Sequence, residues 1–410
     1  MPTRKSALLD NFLDLARIPS PSLRERGVAD LLAGKIRALG HLPREDGAGQ
    51  ALGGDCGNLV VEIPGKGKGP RLLIAAHMDT VENPGDPPAK PVVEGEWVRR
   101  EGGGILGADD KTGCAVMLEV MARLGADGRG HGDLTFVFTV AEEIEALGAA
   151  QLDTELYRDR EAAVVLDYSK ASSLVVAAPT KVAFRVTVHG IAGHAAFPEN
   201  RINAAHVMAQ TLARLPMGRL DGFTTANLGI VRSGTAINII PGSAYAEYEI
   251  RSHRKDVLDF HVKRVIACVE GVVRENRLFL LGEDSGMGDA VAVPGEGIKI
   301  RHARVDVDVE VSYEGYRIPD QAPIVEKLGK ALEKSGLTPE LTVAQGGSDA
   351  NIFNRRGLES VVLGCGMYGA HGADERANLK DMAGAVEALL NLIGGDGTSR
   401  RGGTGKKCGR

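Results

Sequence analysis

The sequence predicts an α/β protein, with a mostly parallel sheet between layers of helices and an inserted α+β domain. Before Pro179, apolar runs flanked by turn residues recur, and helical patterns lie among them. Strands that are apolar on both faces and alternate with helices are typical of parallel sheets covered by helices. From Pro179 onward, apolar and polar residues begin to alternate strictly, which indicates a second domain of a different kind.

The elements before Pro179 follow from these patterns. Helices are predicted at 6–17, at 23–39 and from about Thr112 to Leu124, because apolar residues recur there at helical spacing. The apolar runs predict buried strands at Asn58–Ile63, Arg71–Ala76, Leu134–Val140 and Ala162–Leu166.

The alternating pattern predicts a small inserted domain at residues 179–316. Val182, Phe184, Val186 and Val188 alternate with polar residues, as in a sheet with one wet face. We expect the glycine-rich segment 281–299 to be a loop. The other predicted elements are a helix at 203–215, strands at 225–232 and 244–252, a helix at 255–277 and a strand at 302–313.

After Pro319 the first domain resumes, so we expect it to contain residues 1–178 and 317–395. The tail at 396–410 is nearly free of apolar residues and is predicted to be disordered. The elements predicted for the second part of this domain are a helix at 323–335, a strand near 340–344, a helix from Ser348, a strand at 360–364 and a helix at 378–393.

Composition narrows the class of protein. A chain of 410 residues is long for one compact core, which favours two domains. The formal net charge of -5 gives no general attraction to nucleic acid or anionic lipid. The sequence shows no secretion signal and no apolar run near the ~20 residues of a membrane helix, and its five cysteines suggest no disulfide framework. We expect a soluble cytoplasmic protein that binds neither nucleic acid nor membrane.

Polar residues that suit metal binding follow the predicted strands. His77 and Asp79 lie two apart after a buried run, so both side chains can enter one cleft at the carboxyl edge of the sheet. The imidazole would bind metal and Asp79 would orient it. A solvated strand end is an equally good interpretation of this pair alone.

Adjacent acids follow the next buried run. Glu142 and Glu143 would repel each other there unless a cation compensates them; one could then bind metal while the other acts as general base. Two solvated loop acids are the alternative. Asp167 ends a further buried run, and His371 lies in a loop, where a single histidine is usually a surface residue.

Asp109 and Asp110 join a glycine-rich loop to the start of a helix. A carboxylate here could bridge two cations. Taken alone, the better interpretation is that one of the two caps the helix that begins near Thr112.

These residues, in this order, resemble the zinc-dependent co-catalytic exopeptidase family that contains peptidase T, aminoacylase and carboxypeptidase G-type enzymes. The peptidase T-like tripeptidase branch is the most similar, and the resemblance extends to about residue 393. It is carried by Ala76-His-Met-Asp-Thr-Val81, Gly107-Ala-Asp-Asp-Lys-Thr-Gly113, Ala141-Glu-Glu143, Gly193-His-Ala-Ala-Phe-Pro-Glu199, Asn238-Ile-Ile-Pro241, Glu249-Ile-Arg-Ser252, Gly346-Gly-Ser-Asp-Ala-Asn351 and the loop from His371 to Glu375.

The resemblance implies a phosphorylase/hydrolase-like fold of the zinc exopeptidase type and two divalent metal ions per chain. His77 and Asp167 would hold one ion, and Glu143 and His371 the other. Asp109 would bridge them. Zinc is the expected metal, although Co2+ and Mn2+ also suit such ligands.

The resemblance also implies the catalytic roles. Asp79 would steady the first imidazole and Glu142 would be the general base. The inserted domain at 179–316 would be a lid or dimerisation domain, in which His194 would stabilise the oxyanion, while Asn238 and Arg251 would contact the substrate. For His194 the alternative is a histidine at a domain surface, and for Arg251 it is a surface ion pair.

The expected function is a two-metal hydrolase of short peptides, an aminopeptidase or tripeptidase that releases N-terminal residues. The partners expected are a small peptide substrate and a second copy of the chain, paired through the lid domain. An N-acyl amino acid amidohydrolase or a carboxypeptidase on the same scaffold is the alternative. A binding protein without catalysis is disfavoured, because every ligand type and the base are present.

Overall fold

The computed structural model describes residues 4–81, 87–281, 291–292 and 298–394, which form two compact units. The large unit contains the residues up to Ala177, Arg317–Ala344 and the residues from Ser348 on. The inserted unit contains Ala178–Tyr316 together with Gln345–Gly347. The tail predicted to be disordered lies outside the described residues.

Every predicted helix is present, and the short helices α3 and α5 were not predicted. Where the bounds differ, they differ by a few residues at either end. The helices are α1 Arg4–Ala16, α2 Arg26–Ala38, α3 Ala48–Leu52, α4 Ala108–Asp127, α5 Leu147–Gln151, α6 Ala204–Arg214, α7 Lys255–Glu275, α8 Pro323–Lys334, α9 Asp349–Arg355 and α10 Leu379–Ile393, and a short 3-10 turn spans Thr154–Leu156.

The strands include every predicted one and several more. The strands are β1 Arg44–Glu45, β2 Leu59–Ile63, β3 Leu72–His77, β4 Pro91–Glu94, β5 Trp97–Arg100, β6 Leu134–Thr139, β7 Ala162–Leu166, β8 Ser173–Ala178, β9 Thr180–His189, β10 Gly193–His194, β11 Gly218–Arg219, β12 Thr224–Ser233, β13 Ile239–Ile240, β14 Ser243–Ser252, β15 Arg277–Leu281, β16 Val291–Ala292, β17 Ile298–His302, β18 Arg304–Tyr313, β19 Tyr316–Arg317, β20 Glu340–Val343, β21 Ser360–Leu363, β22 Met367–Tyr368 and β23 Arg376–Asn378.

The large unit is built on a sheet of order β1-β2-β6-β3-β7-β21-β8-β19, with β20 beside β8. Its centre is parallel, because β3 pairs in parallel with β6 and β7, and β7 with β21. Strands β3, β6, β7 and β21 are buried along their whole length. The prediction of a mostly parallel, doubly covered sheet is therefore confirmed.

Two groups of helices cover this sheet. One contains α1, α4, α8 and α10, and the other contains α3, α5 and α9. Within the first group, α4 packs against β3, α1 and α10. Its residues from Cys114 to Met121 are almost entirely buried, which explains why its sequence has no polar face.

The inserted unit has an antiparallel sheet of order β11-β12-β14-β9-β18. Helices α6 and α7 pack against its strands. The alternating residues of β9, from Val182 to Val188, are buried in the core beneath these helices. The prediction that one face of this sheet is apolar is confirmed.

Some elements differ from the sequence predictions. The segment 281–299 was expected to be a loop, which is wrong for its described residues, since β15, β16 and β17 pair antiparallel. The rest of that segment lies outside the described residues. The hairpin β4–β5 and strand β8 were not predicted. Within the described part of the chain, no helix is long and apolar enough to cross a membrane.

Candidate metal centre

Neighbouring strands bring the predicted ligands together at one edge of the large unit's sheet. Strand β3 lies between β6 and β7, and its last residue is His77. The acids Glu142 and Glu143 follow β6, and Asp167 follows β7 directly. Because these strands are parallel, their carboxyl ends share one edge.

Two further candidate ligands come from other elements. Asp109 enters at the start of α4, and His371 lies in the loop between β22 and β23. These residues and three from the strand ends form two groups, in each of which the potential ligand atoms lie within 4.8 Å of one another. One group is His77, Asp109 and Asp167, and the other is Asp109, Glu143 and His371.

Asp109 belongs to both groups and turns one oxygen toward each imidazole. Its Oδ1 lies 3.0 Å from His77 Nε2, and its Oδ2 lies 3.3 Å from His371 Nε2. The second imidazole also lies 2.9 Å from Glu143 Oε2. A carboxylate shared in this way is the arrangement that a bridge between two cations requires.

His77 is oriented by a main-chain oxygen more closely than by a carboxylate. Its Nδ1 lies 2.9 Å from the carbonyl oxygen of Asp79 and 3.4 Å from that residue's Oδ1. A proton on Nδ1 would donate to this carbonyl and leave the Nε2 lone pair for a metal. The Asp79 carboxylate instead accepts the N–H groups of Glu142 and Glu143, at 2.9 and 3.0 Å, and the hydroxyl of Ser22 at 2.7 Å.

The electrostatics favour cations at this edge. Burial raises the pKa of Glu142 and of Asp167 well above the usual range for carboxyl groups. Hydrogen bonds to Asp109 and Glu143 raise the pKa of His371 to about 10. So many acids in a buried cluster need positive charge, which the imidazoles supply here as protonated groups. Divalent cations would replace those protons, and imidazole nitrogens with carboxylate oxygens are suitable ligands for them.

The adjacent acids Asp109 and Asp110 have different roles, although both were candidates for a helix cap. The peptide bond between them is cis, and both have non-helical backbone angles. The Asp110 carboxylate accepts the N–H of Gly113 at 3.0 Å and that of His77 at 3.2 Å. Asp110 therefore caps the helix, and Asp109 is left for the ligand groups. Gly113 is required because an added Cβ would lie 2.5 Å from Asp110 Oδ1.

Sequence reasoning missed Glu375, which is buried in the same loop as His371. Its carboxylate accepts the N–H groups of Leu106, Gly107 and Asp109, the last two at 3.0 Å. One acid therefore fixes the loop of the shared carboxylate to the loop of the second imidazole. The sequence offers no signal for these contacts, because the partners lie more than 260 positions apart.

Asp349 is a second acid that was given no role. It is buried, and its Oδ2 accepts the hydroxyl of Thr139 at 2.6 Å. Burial raises its pKa to about 6, and its charge contributes to the raised pKa of Glu142. The sequence signal was its place in the Gly346–Asn351 motif.

The remaining predicted site residues lie in the inserted unit. His194 is exposed in β10, and its Nδ1 accepts the N–H of Ala196 at 3.1 Å. The N–H of Ala195 donates to the carbonyl oxygen of Asn238 at 2.9 Å, so His194 and Asn238 lie on adjoining segments. Arg251 forms an ion pair with Glu249, with 2.8 Å between Nε and Oε1. An ion pair of Arg251 was the alternative to its predicted contact with the substrate.

Comparisons with known proteins agree with this geometry. The chain is 31% identical to the uncharacterized protein YqjE of Bacillus subtilis over 387 residues, which are 94% of this chain and 97% of the relative. The structure of a tripeptidase from Staphylococcus aureus is 31% identical, with a TM-score of 0.80, over 95% of this chain and 98% of that one. The aminopeptidase PepT from Bacillus cereus is 30% identical, with a TM-score of 0.76 and the same coverage of both chains. Residues 73–394 match one family model, and the chain belongs to peptidase family M20/M25/M40.

Proposed function

We propose that this enzyme is an aminopeptidase that releases N-terminal residues from short peptides, tripeptides above all, with two divalent cations as cofactors. The observation that carries the proposal is the Asp109 carboxylate placed between two imidazoles, with Glu142 beside the one of His77. Similarity to an aminopeptidase and a tripeptidase over 95% of the chain favours short peptides over N-acyl amino acids. We propose the cytoplasm as its compartment.

The residues present fit the cations. His77 and Asp167 would hold one, Glu143 and His371 the other, and Asp109 both. We propose zinc, while Co2+ and Mn2+ suit the same nitrogen and oxygen ligands. When bound, the cations lower the pKa of a water molecule and polarise the scissile carbonyl group.

Glu142 is the proposed general base. Its side chain is 12% exposed, and its Oε2 lies 3.9 Å from His77 Nε2. Burial raises its pKa, so the carboxylate accepts a proton from the attacking water more readily than an ordinary glutamate does. The same carboxyl group then donates that proton to the departing amine. The Asp79 carboxylate, which accepts the N–H of Glu142, keeps the base in place.

The inserted unit, residues 179–316 in the sequence prediction, is the proposed lid and dimer interface. In this proposal His194 donates a hydrogen bond to the oxyanion that forms during attack. Asn238 contacts the peptide backbone. Arg251 binds the terminal carboxylate of the substrate, because its guanidinium can donate to both oxygens, as it now does to Glu249.

Replacing the base tests the mechanism. Glu142→Gln keeps the size of the side chain but cannot accept the proton, so kcat should fall by ~10²–10⁴-fold. Bound metal should stay at the wild-type amount, measured by elemental analysis of the same samples. Glu145→Gln, three residues further along the loop, is the matched control and should keep wild-type turnover. Near-normal kcat in Glu142→Gln would refute the role of Glu142.

A substrate panel tests the specificity. Free tripeptides should be cleaved with release of the N-terminal residue, while N-acetylated tripeptides and N-acetyl amino acids should be poor substrates. Preferential hydrolysis of N-acetyl amino acids would establish the amidohydrolase alternative, and release of C-terminal residues would establish a carboxypeptidase. Absence of any turnover after loading with Zn2+, Co2+ or Mn2+ would contradict the proposal as a whole.

A further inference from the structure

Four consecutive residues after β6, 140–143, contain the proposed base and one proposed ligand; we call them the base turn. Every one of their N–H groups donates to a side chain from another part of the large unit. The first donates to Asn58 Oδ1 at 3.0 Å, and the second to Glu25 Oε1 at 2.9 Å. The last two donate to the carboxylate of Asp79. All four N–H groups of the base turn are therefore bound by side chains, while the carbonyl oxygens of Ala141 and Glu142 accept the N–H groups of Leu147 and Ala146.

Glu25 is the member of this set that neither the sequence nor the family resemblance singled out. It lies directly before α2, and no part of its side chain is exposed. Its Oε1 also accepts the N–H of Leu23 at 2.9 Å. Leu23 and Ala141 have φ values of 70° and 55°, so one oxygen satisfies two donors in left-handed turns. Such turns persist only where the surroundings hold them.

The segment around Glu25 also holds the end of β3. Ser22 donates its hydroxyl to Asp79 Oδ2 at 2.7 Å, and Ser20 donates its hydroxyl to the carbonyl oxygen of Met78 at 2.9 Å. The N–H of Thr80 returns a bond to the carbonyl of Ser20 at 2.9 Å. Residues 20–25 thus bind both the strand end that carries His77 and the turn that carries Glu142.

We propose that Glu25 is a positioning residue for the reaction, which fixes the base turn and thereby the direction of the Glu142 carboxylate. This rests on the proposed function of Glu142 as base. Glu25 belongs to neither of the two candidate ligand groups around Asp109, and it acts through the N–H groups of Ala141 and Leu23. The property that matters is a hydrogen-bond acceptor at the place of Oε1, and the negative charge is dispensable.

Three substitutions separate an acceptor from a charge. Glu25→Ala removes the acceptor, so kcat should fall by ~10–100-fold, the scale of a catalytic group misplaced by about 1 Å, with KM within about threefold of wild type. Glu25→Gln keeps a carbonyl oxygen at the acceptor position and should restore kcat to within about threefold. In Glu25→Asp the side chain is too short to reach both N–H donors, so kcat should fall. This variant replaces Glu25→Ala if the alanine variant does not fold.

Hydrogen exchange of the backbone gives a readout that does not depend on peptide cleavage. In the metal-loaded enzyme, the amides of residues 140–143 should exchange faster in Glu25→Ala and Glu25→Asp, and at the wild-type rate in Glu25→Gln. Metal content should be unchanged in all three. Glu25 also forms a group with Asp55 and Cys56 whose potential ligand atoms lie within 4.8 Å, so loss of one ion per chain would show instead that it binds metal and would overturn the proposal.

Glu161→Ala is the control, because this glutamate accepts the N–H of Arg71 at the opposite, amino end of the same strands. It should leave kcat and exchange of the base turn at wild-type values. Unchanged kcat and exchange in Glu25→Ala and Glu25→Asp, with lowered thermal stability, would reduce Glu25 to a structural residue. Equal loss in the alanine and glutamine variants would show that charge matters, and would also overturn the proposal. If wild-type enzyme cleaves no peptide, the exchange result still tests the positioning, and only the proposed function fails.

Discussion

The main sheets of the two units hold charged side chains in opposite environments. At the carboxyl edge of the large unit's sheet, Asp109 and Glu142 are largely shielded from solvent and their pKa values are displaced in opposite directions. On the inserted unit's sheet, Arg185 remains 43% exposed and pairs across β9 and β18 with Asp308 and Glu310.

The difference between these two environments distinguishes ordinary surface ion pairs from a cluster of charges that indicates a functional site. Across β9 and β18, Arg185 lies directly opposite Asp308 in the antiparallel register and also pairs with Glu310, and all three side chains stay exposed to solvent. Exposed ion pairs of this kind contribute little to the free energy of unfolding and are typical of the solvated face of a sheet. At the buried edge, the acids outnumber the protein's own cations around them, so the site gains from divalent ions. The predictions that follow test this contrast, from the largest effect to the smallest.

Asp109→Asn should have the largest effect. Without the shared negative charge, both ligand groups lose their bridge, so metal affinity should fall by more than ~100-fold and kcat/KM with it. Elemental analysis after dialysis and steady-state kinetics would measure this. Asp308→Asn, the same chemical change on the exposed ladder, should alter neither. Retention of two ions per chain in Asp109→Asn would show that the buried carboxylate matters no more for metal binding than the exposed Asp308.

Metal loading should release protons. The pKa of His371 is raised to about 10 by the hydrogen bonds of Asp109 and Glu143, and that of His77 is also raised, because the carboxylates outweigh its burial. The raised pKa values favour the protonated form of both imidazoles in the metal-free protein, and each imidazole must lose its proton to bind a cation. Calorimetric titration with Zn2+ in buffers of different ionisation enthalpy would count the protons. Affinity should weaken as the pH falls, and binding without proton release would contradict the assignment.

Asp349→Asn should change stability in a pH-dependent way. Burial raises the pKa of Asp349 from 3.8 to about 6, so its contribution to stability is present below pH ~4 and is lost as the pH rises through about 6. The amide oxygen can still accept the hydroxyl of Thr139. The metal-free variant should therefore gain ~2–3 kcal/mol in free energy of unfolding at pH 8 and nothing at pH 4. Equal gains at both values would show that the carboxyl charge is not the cause.

Arg185→Gln should have the smallest effect. Its ion pairs with Asp308 and Glu310 are exposed, so the free energy of unfolding should change by less than ~1 kcal/mol, and less still at high salt. Denaturant unfolding at two salt concentrations would measure it. A larger change would mean that the inserted unit's ladder is not merely a solvated face.

Local patterns were sufficient for most elements, whereas the grouping of the candidate ligands rested on the resemblance to the exopeptidase family as well. Strands β3, β6 and β7 are apolar runs, and the candidate ligands follow their ends, where parallel strands share an edge. Glu25, Asn58 and Glu375 could not be predicted, since their importance lies in hydrogen bonds to backbone groups far along the chain. The strands of segment 281–299 were missed because its glycines outweighed the short apolar runs between them.

The inserted unit leaves and rejoins the large unit through adjacent positions. Its chain departs after β8 and returns at β19, which are neighbours in the sheet, and the N–H of Ile318 donates to the carbonyl oxygen of Val176 at 2.7 Å. The sheet of the large unit therefore holds the two ends of the inserted segment next to each other. The inserted segment could become longer or shorter, or be exchanged for another, without a change in β3, β6 and β7, which the candidate ligands follow. We expect that a variant in which a short linker replaces the inserted segment still folds its large unit and binds divalent cations there.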